Sequence, residues 1–211
     1  EIDVTFLKGF KSMILRNLRR FHKIIIITGG GKTCRRYRQA AVDVSHITHE
    51  DMDWLGIHAT RLNGHLMRTI FRDYAHPVMN TTPHEKINFR EKILVAAGGR
   101  PGHSTDYDSA VLARVYGARK ILNLSNIDYV FDSDPRKNPN AKPLKEISWP
   151  SFRKLVGSRW VPSGNFPFDP IASKLAHEAG LTVHVMNGRK LERVDAFLKV
   201  KGFIGTRIGA L

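Results

Sequence analysis

Residues 24–33 read IIIITGGGKT, four isoleucines and a threonine followed by three glycines and a Lys-Thr pair. A β-branched run without polar alternation predicts a strand that is covered on both faces. The glycines end this strand, and a helix is predicted directly after them, from Thr33 to Val42. Backbone N–H groups and the helix dipole at such a junction can bind an anion. We therefore expect an anion site at residues 29–33.

The same residues do not form a Walker P-loop. The pattern G-x-x-x-x-G-K-[ST] ending here requires glycine at position 26, and the chain has Ile26. A purely structural alternative is a tight turn in which one glycine adopts a positive φ. Three consecutive glycines, with Lys32, Arg35 and Arg36 close behind, favour the anion site over the simple turn.

A second strand-glycine-helix unit follows. A buried strand is predicted at Ile93–Ala97, a loop at Gly98–Asp106 and a helix at Ser109–Tyr116. The loop combines glycines, an arginine, hydroxyls and a carboxylate, and any of Ser104, Thr105 and Asp106 could cap the helix. A carboxylate in a loop that binds phosphate is unusual unless it orients a lysine or a metal ion. Asp106 is therefore the acid of this chain that tells most about its function.

The remaining pattern alternates strands with helices. Further helices are predicted at 4–21, 52–71, 149–156, 170–179 and 191–197, and further strands at 120–124, 182–186 and 203–208. Asp169 is the expected N-cap of the helix that ends at Gly180. This alternation predicts an α/β fold with a mainly parallel sheet. In such sheets ligands bind beyond the carboxyl ends of the strands, where all the glycine and polar clusters fall.

A third cluster follows the strand at 120–124. Ser125, Asn126 and Asp128 supply hydrogen-bonding groups, and Phe131 and Asp134 come shortly afterwards. Polar groups beside aromatic faces suit a purine base and its ribose. A polar strand end followed by a proline turn explains the same residues equally well. This cluster therefore indicates a binding site only in combination with the other two.

Composition narrows the function classes. The chain has 211 residues, 42% of them apolar and 25% charged, which is typical of a globular domain. Its formal charge of +15 favours polyanions or phosphorylated ligands as partners. No apolar run approaches the roughly 20 residues of a membrane span, and the single cysteine, Cys34, rules out an internal disulfide. We expect a soluble, cytoplasmic protein without a resident metal, because the ten histidines form no zinc motif.

The chain resembles the amino acid kinase superfamily and, within it, the archaeal-type uridylate (UMP) kinases. The resemblance rests on five segments in the family's order: GGGKTCR at 29–35, DWLGIHATRLN at 53–63, GGRPGHSTDYD at 98–108, LSNIDYVFDSDPRKNPNAKPLKEI at 124–147 and FDPIASKLA at 168–176. Together these segments reach across nearly the whole chain.

This resemblance implies a three-layer α/β/α sandwich and one domain over residues 1–211. An acceptor-binding lobe is expected at about 1–92 and an ATP-binding lobe at about 93–211. The implied reaction transfers the γ-phosphoryl group of ATP, with Mg²⁺, to UMP without a covalent enzyme intermediate. Members are usually hexamers, and no membrane or nucleic-acid partner is expected. By comparison with the family, we expect its opening strand and Gly-Gly-Ser loop to be absent from this sequence, which begins at the helix that follows them in the family.

The resemblance also implies roles for individual residues. The catalytic residue is Asp106, which organises the cationic groups around the transferred phosphoryl group. The UMP site contains Gly30, Asp53, Arg100, Pro101, Gly102, His103, Ser104 and Thr105, with Asp53 on the ribose hydroxyls. The ATP site contains Gly31, Arg35, Ser125, Asn126, Phe131 and Asp134.

Two other readings stay open at the level of sequence. One is a different activity of the same fold, such as a kinase for isopentenyl phosphate or another small phosphate, or a storage protein that binds oxyanions. The other is a non-catalytic RNA-binding protein, suggested by the charge of +15. Asp53 separates the first of these from a UMP kinase, because a ribose-binding carboxylate has no purpose with an isoprenoid.

Overall fold

The computed structural model describes residues 2–159 and 166–210. The chain divides into two compact units. The glycine-loop unit contains residues 20–116, and the large-sheet unit contains residues 2–19, 117–159 and 166–210 of the described chain. These boundaries differ from the lobes expected at about 1–92 and 93–211, and the assignment of those lobes to acceptor and ATP stays a prediction.

The glycine-loop unit carries two parallel strands and three helices. In chain order they are β1 Ile24–Ile27, α2 Gly31–Val44, α3 His49–Ile70, β2 Ile93–Ala96 and α4 Thr105–Tyr116; helix α1, Val4–Asn17, belongs to the other unit. Both predicted strand-glycine-helix units are therefore present. Helix α3 begins with a capping box, in which Thr48 and Asp51 satisfy each other's backbone N–H groups. Helix α4 begins at Thr105, four residues before the predicted start.

The two strands of this unit differ in burial. Strand β2 is fully buried, whereas every residue of β1 is only partly buried, contrary to the predicted double coverage. The reason is that β2 has neighbours on both edges: β1 on one side and single bridges from Ala75 and Asn80 on the other. Among the described residues, β1 pairs with β2 alone.

The large-sheet unit contains the remaining elements. They are α1 Val4–Asn17, β3 Lys120–Ser125, β4 Val130–Phe131, β5 Pro143–Leu144, β6 Glu146–Ser148, α5 Trp149–Val156, α6 Pro170–Glu178, β7 Thr182–Asn187, α7 Leu191–Leu198 and β8 Thr206–Gly209. Four strands form one sheet in the order β3-β7-β8-β6, in which only the β7–β8 pair is antiparallel. Strands β4 and β5 form a separate antiparallel pair.

Most helix and strand predictions for this unit are confirmed. Asp169 caps α6 by accepting hydrogen bonds from the N–H groups of Ile171 and Ala172, at 2.7 and 2.8 Å. Gly180 adopts a φ of +62° just after that helix. The α/β class with mostly parallel strand pairs is thus confirmed. No helix in the described part of the chain is long and apolar enough to cross a membrane.

Candidate active site

The loop after β1 leads into α2 through two glycines with different constraints. Gly30 is the N-cap, and a Cβ at this position would lie 2.6 Å from the Cβ of Cys34. Gly31 adopts a φ of +59°, a conformation that L-residues avoid. Because Gly30 has no side chain, it gives the helix no side-chain cap, and the first turn of α2 contains no acidic residue. This helix N-terminus therefore suits an anion.

Two hydrogen bonds join helix α3 to the start of the same loop. The amide nitrogen Nδ2 of Asn63 donates to the carbonyl oxygen of Gly29 at 2.7 Å. The hydroxyl of Thr28 donates to the carbonyl oxygen of Thr60 at 2.9 Å. Arg35 lies one turn into α2 and is exposed, so its guanidinium is accessible beside the loop.

Asp53 joins α3 to the second loop. Its side chain is only 7% exposed, and its Oδ2 accepts a hydrogen bond of 2.8 Å from the N–H of Gly102. The other oxygen, Oδ1, lies 3.8 Å from Nη2 of Arg38. Arg38 reaches this position across Gly56, where a Cβ would come within 2.5 Å of that Nη2 atom. The structure thus brings Asp53 and the loop at 100–105 together across 49 positions of sequence.

Ser104 is the residue that caps α4. Its Oγ accepts a hydrogen bond of 3.2 Å from the N–H of Tyr107, which decides among the three candidate caps. Asp106 lies in the first turn of this helix, and its side chain is partly buried. The ring of His103 stacks on that of Tyr107 with centroids 4.3 Å apart. The side chains at 103–106 therefore surround the N-terminus of α4.

Asp108 is a site residue that the sequence reading missed. It is 4% exposed, and its Oδ2 accepts a hydrogen bond of 3.3 Å from the N–H of Gly99. Burial raises the pKa of this carboxyl to about 6, although the Gly99 N–H and the charge of Arg100 act in the opposite direction. The two acids of the TDYD segment were visible in the sequence, but only tertiary packing shows that the second one is buried.

The other expected ATP residues belong to the large-sheet unit. Ser125 ends β3, its hydroxyl lies 3.5 Å from Oδ1 of Asn126, and Asn126 is exposed. Phe131 lies in β4 and is partly buried. Arg136 makes two hydrogen bonds of 3.1 Å to the two oxygens of Asp134, and these lower the pKa of that carboxyl. Gly31 and Arg35 belong to the glycine-loop unit, so the expected ATP residues are divided between the two units.

Asp128 of the third cluster is an ion-pair partner. Nζ of Lys190 lies 2.9 Å from its Oδ2, and Nη1 of Arg193 lies 3.2 Å from its Oδ1. The hydrogen bond from Lys190 is the main cause that lowers the pKa of Asp128. Within the described residues, no group of three or more His, Cys, Asp or Glu side chains is arranged to hold a metal ion.

Comparison with known proteins identifies the family of this chain. Residues 11–187 match the model of the Amino acid kinase family. The chain belongs to the amino acid kinase family. Its similarity to individual members is also extensive. A uridylate kinase of Pyrococcus abyssi is 36% identical over 202 residues, which cover 94% of this chain and 89% of that protein.

Further members of the family give the same result. A uridylate kinase of Pyrobaculum calidifontis is 34% identical over 179 residues, covering 84% of this chain and 82% of the relative. The crystal structure of uridylate kinase from Archaeoglobus fulgidus superposes with a TM-score of 0.84 at 25% identity, covering 98% of this chain and 94% of that one. The amino acid kinase fold expected from the sequence is thereby confirmed.

Proposed function

We propose that this member of the amino acid kinase family is a uridylate kinase, which transfers the γ-phosphoryl group of ATP to UMP and forms UDP. The observation that carries the proposal is the hydrogen bond between Asp53 and Gly102, because it joins a buried carboxylate to the loop before α4. A carboxylate that accepts hydrogen bonds suits the two ribose hydroxyls, and a loop before a helix N-terminus suits the phosphate. The extensive similarity to uridylate kinases supports the same substrate.

In this proposal the acceptor lies between α3 and the N-terminus of α4. Asp53 orients the ribose, and Gly30 with residues 100–105 holds the phosphate. Arg100 is exposed and supplies positive charge beside this loop. Phosphoryl transfer depends mainly on positioning and on neutralising the oxygens, so the chain needs no nucleophile of its own.

ATP is proposed to bind through Gly31 and Arg35 of the first loop and through Ser125, Asn126, Phe131 and Asp134. Asp106, in the first turn of α4, keeps the cationic groups in line with the transferred group. Mg²⁺ fits as an ion that arrives with ATP, because nucleotide phosphates and water supply most of its ligands and the described residues form no dedicated cage. When bound, it neutralises charge on the phosphates.

Other parts of the proposal rest on family resemblance alone. They are assembly into a homo-hexamer, location in the cytoplasm and a role in pyrimidine nucleotide synthesis. The charge of +15 is then assigned to attraction of anionic nucleotides, not to RNA.

The test is a thermal-shift titration with UMP, CMP, isopentenyl phosphate, MgATP and a short RNA, followed by an assay of UDP formation. Selective stabilisation by UMP and MgATP is expected, because ligands that bind the folded state raise its apparent stability. The control is Asp53→Asn, which should weaken UMP and leave isopentenyl phosphate unchanged. Stabilisation by isopentenyl phosphate alone, or by RNA with a steep loss of affinity in salt, would contradict the proposal.

A further inference from the structure

Gly98 and Gly99, which open the second loop, already use their backbone N–H groups within the protein. The N–H of Gly98 donates to Oγ1 of Thr60 at 2.8 Å, and the N–H of Gly99 donates to Oδ2 of Asp108 at 3.3 Å. Both acceptors are buried. These two amides are therefore engaged in the structure and are not open to a phosphate, which differs from the simple reading of a glycine-rich anion loop.

The two carbonyl groups of the same dipeptide are engaged as well. Nε of Arg61 donates to the oxygen of Gly98 at 3.2 Å, and Nη2 donates to the oxygen of Gly99 at 3.0 Å. A guanidinium is planar and presents its donors in a fixed fork, so one side chain fixes two successive peptide groups. All four polar backbone groups of Gly98–Gly99 are thus bound by side chains of α3 and α4.

The glycines at these positions provide space for this contact. A Cβ on Gly98 would lie 2.9 Å from Oγ1 of Thr60, and a Cβ on Gly99 would lie 2.9 Å from Cδ of Pro83. Neither glycine adopts a positive φ. The requirement at both positions is therefore close approach of neighbouring atoms, not an unusual backbone conformation.

We propose that Arg61 and Asp108 are positioning residues for the acceptor, which hold Gly98–Gly99 as a fixed base for the loop at 100–105. We call the four hydrogen bonds that join Gly98–Gly99 to Thr60, Arg61 and Asp108 the diglycine clamp. The proposal rests on the proposed function, because it assigns the acceptor phosphate to the residues after Gly99. It adds that the geometry of this loop is set from α3 and α4, by side chains that do not themselves contact UMP.

Two features make Arg61 and Asp108 suited to this role. Each forms hydrogen bonds in which one partner is charged, and such bonds are stronger than neutral ones. Asp108 also lies near enough to Arg100 for the charge of that side chain to lower the pKa of its carboxyl. Asp108 is therefore bound to the base of the loop and lies in the field of the first cationic side chain in it.

The first test compares Arg61→Ala with Arg68→Ala. Arg68 lies on the same helix and also donates from Nε to a backbone oxygen, that of Pro77 at 3.0 Å, outside the second loop. Arg61→Ala should raise KM for UMP about tenfold and change KM for ATP and kcat less than about threefold, as expected when charge-assisted bonds that orient one substrate are lost. Arg68→Ala should change none of the three.

The second test uses two replacements of Asp108. Asp108→Ala removes the acceptor of the Gly99 N–H and should raise KM for UMP, again about tenfold. Asp108→Asn keeps an oxygen in the same place and should restore KM to within about threefold of the wild type. Rescue by asparagine separates the hydrogen bond from general loss of packing.

Amide hydrogen exchange of Gly98 and Gly99 provides the readout that is independent of activity. Exchange at Gly99 should become at least about tenfold faster in Asp108→Ala and stay slow in Asp108→Asn. Unchanged exchange, or equal effects of Arg61→Ala and Arg68→Ala on KM for UMP, would overturn the diglycine clamp. A wild-type chain that forms no UDP would instead contradict the proposed function, so the two failures are distinguishable.

Discussion

The two glycine loops of the glycine-loop unit are similar in sequence but differ in physical construction. After β1, Gly31 has a φ of +59°, and its N-cap neighbour Gly30 offers no side chain to the helix. After β2, Gly98 and Gly99 have no positive φ, and side chains bind all their polar backbone groups. The first loop leads directly into a helix N-terminus, whereas the second begins with a dipeptide held by side chains and continues into the segment at 100–105, which is proposed to bind the acceptor.

This difference shows that glycine serves two purposes in one pattern. In the first loop Gly31 is needed for its backbone conformation, and a Cβ there would meet no atom within 4 Å. In the second loop Gly98 is needed because α3 lies against it. Replacements of Gly31 and of Gly98 should therefore lower stability for different reasons.

The largest effect is expected at the end of the second loop. Asp106→Asn should lower kcat about a hundredfold or more while leaving UMP affinity nearly intact, because this carboxylate is assigned to organising charge in the transition state. The measurement is kcat together with UMP affinity by calorimetry. Asp73→Asn, at an exposed acid of the same unit, is the control for loss of one negative charge. Unchanged turnover in Asp106→Asn would contradict the assignment.

The next effect concerns stability and compares the loops directly. Gly98→Ala should lower the free energy of unfolding by about 3 kcal/mol, because the new Cβ displaces Thr60 and breaks its hydrogen bond. Gly31→Ala should cost only about 1 kcal/mol, the strain of a left-handed alanine. Denaturant unfolding measures both values.

The double variant Thr60→Ala/Gly98→Ala sharpens this test. Removing the hydroxyl relieves the clash, so the double variant should lose less stability than the sum of the single variants. Additive losses, or a larger loss in Gly31→Ala than in Gly98→Ala, would show that the second loop is not limited by space.

A pH-dependent effect is expected from Asp108. Its folded-state pKa of about 6 lies above the ordinary value of 3.8, so the folded state binds the proton more tightly than the unfolded chain. Ionisation of Asp108 therefore lowers stability as pH rises from about 4 to about 6. Asparagine at this position does not ionise. The free energy of unfolding of Asp108→Asn should therefore rise relative to that of the wild type by about 2 kcal/mol between pH 4 and pH 6.

Subtracting the two unfolding curves removes the other titrating groups. His184, in the large-sheet unit, changes the free energy of unfolding in the opposite direction. Burial lowers its pKa to about 4, so the stability that its neutral form contributes is lost as pH falls through the same range. A difference curve that is flat between pH 4 and 6 would show that Asp108 has an ordinary pKa.

Local patterns were sufficient to predict much of this fold. The isoleucine run predicted β1, the apolar spacing predicted most of α3, and Asp169 with Gly180 gave the ends of α6. The two-residue strands β4 and β5 were not predicted, because strands of that length carry no recognisable period. Strand β1 was predicted to be more buried than it is, since burial depends on neighbours and not on composition.

The site was predictable in its residue types but not in its internal contacts. The sequence indicated Asp53 and the loop at 100–105 separately, and a hydrogen bond between positions 53 and 102 has no local signal. The burial of Asp108 is likewise a property of the packed α4 helix. Arg61 was visible only as part of a longer family motif, so its contact with Gly98–Gly99 required the structure.

The smallest effect tests whether the first loop serves ATP. Arg35→Ala should raise KM for ATP about tenfold and change KM for UMP little, because Arg35 is assigned to the ATP phosphates. Arg36→Ala is the matched control, since Arg36 is the adjacent exposed arginine on α2 and has no assigned role. Steady-state kinetics with each substrate varied in turn gives both constants. If Arg35→Ala weakens both substrates equally, Arg35 contacts the acceptor as well as ATP. The proposed division of the first loop, with Gly30 on the acceptor and Gly31 and Arg35 on ATP, would then be wrong at Arg35.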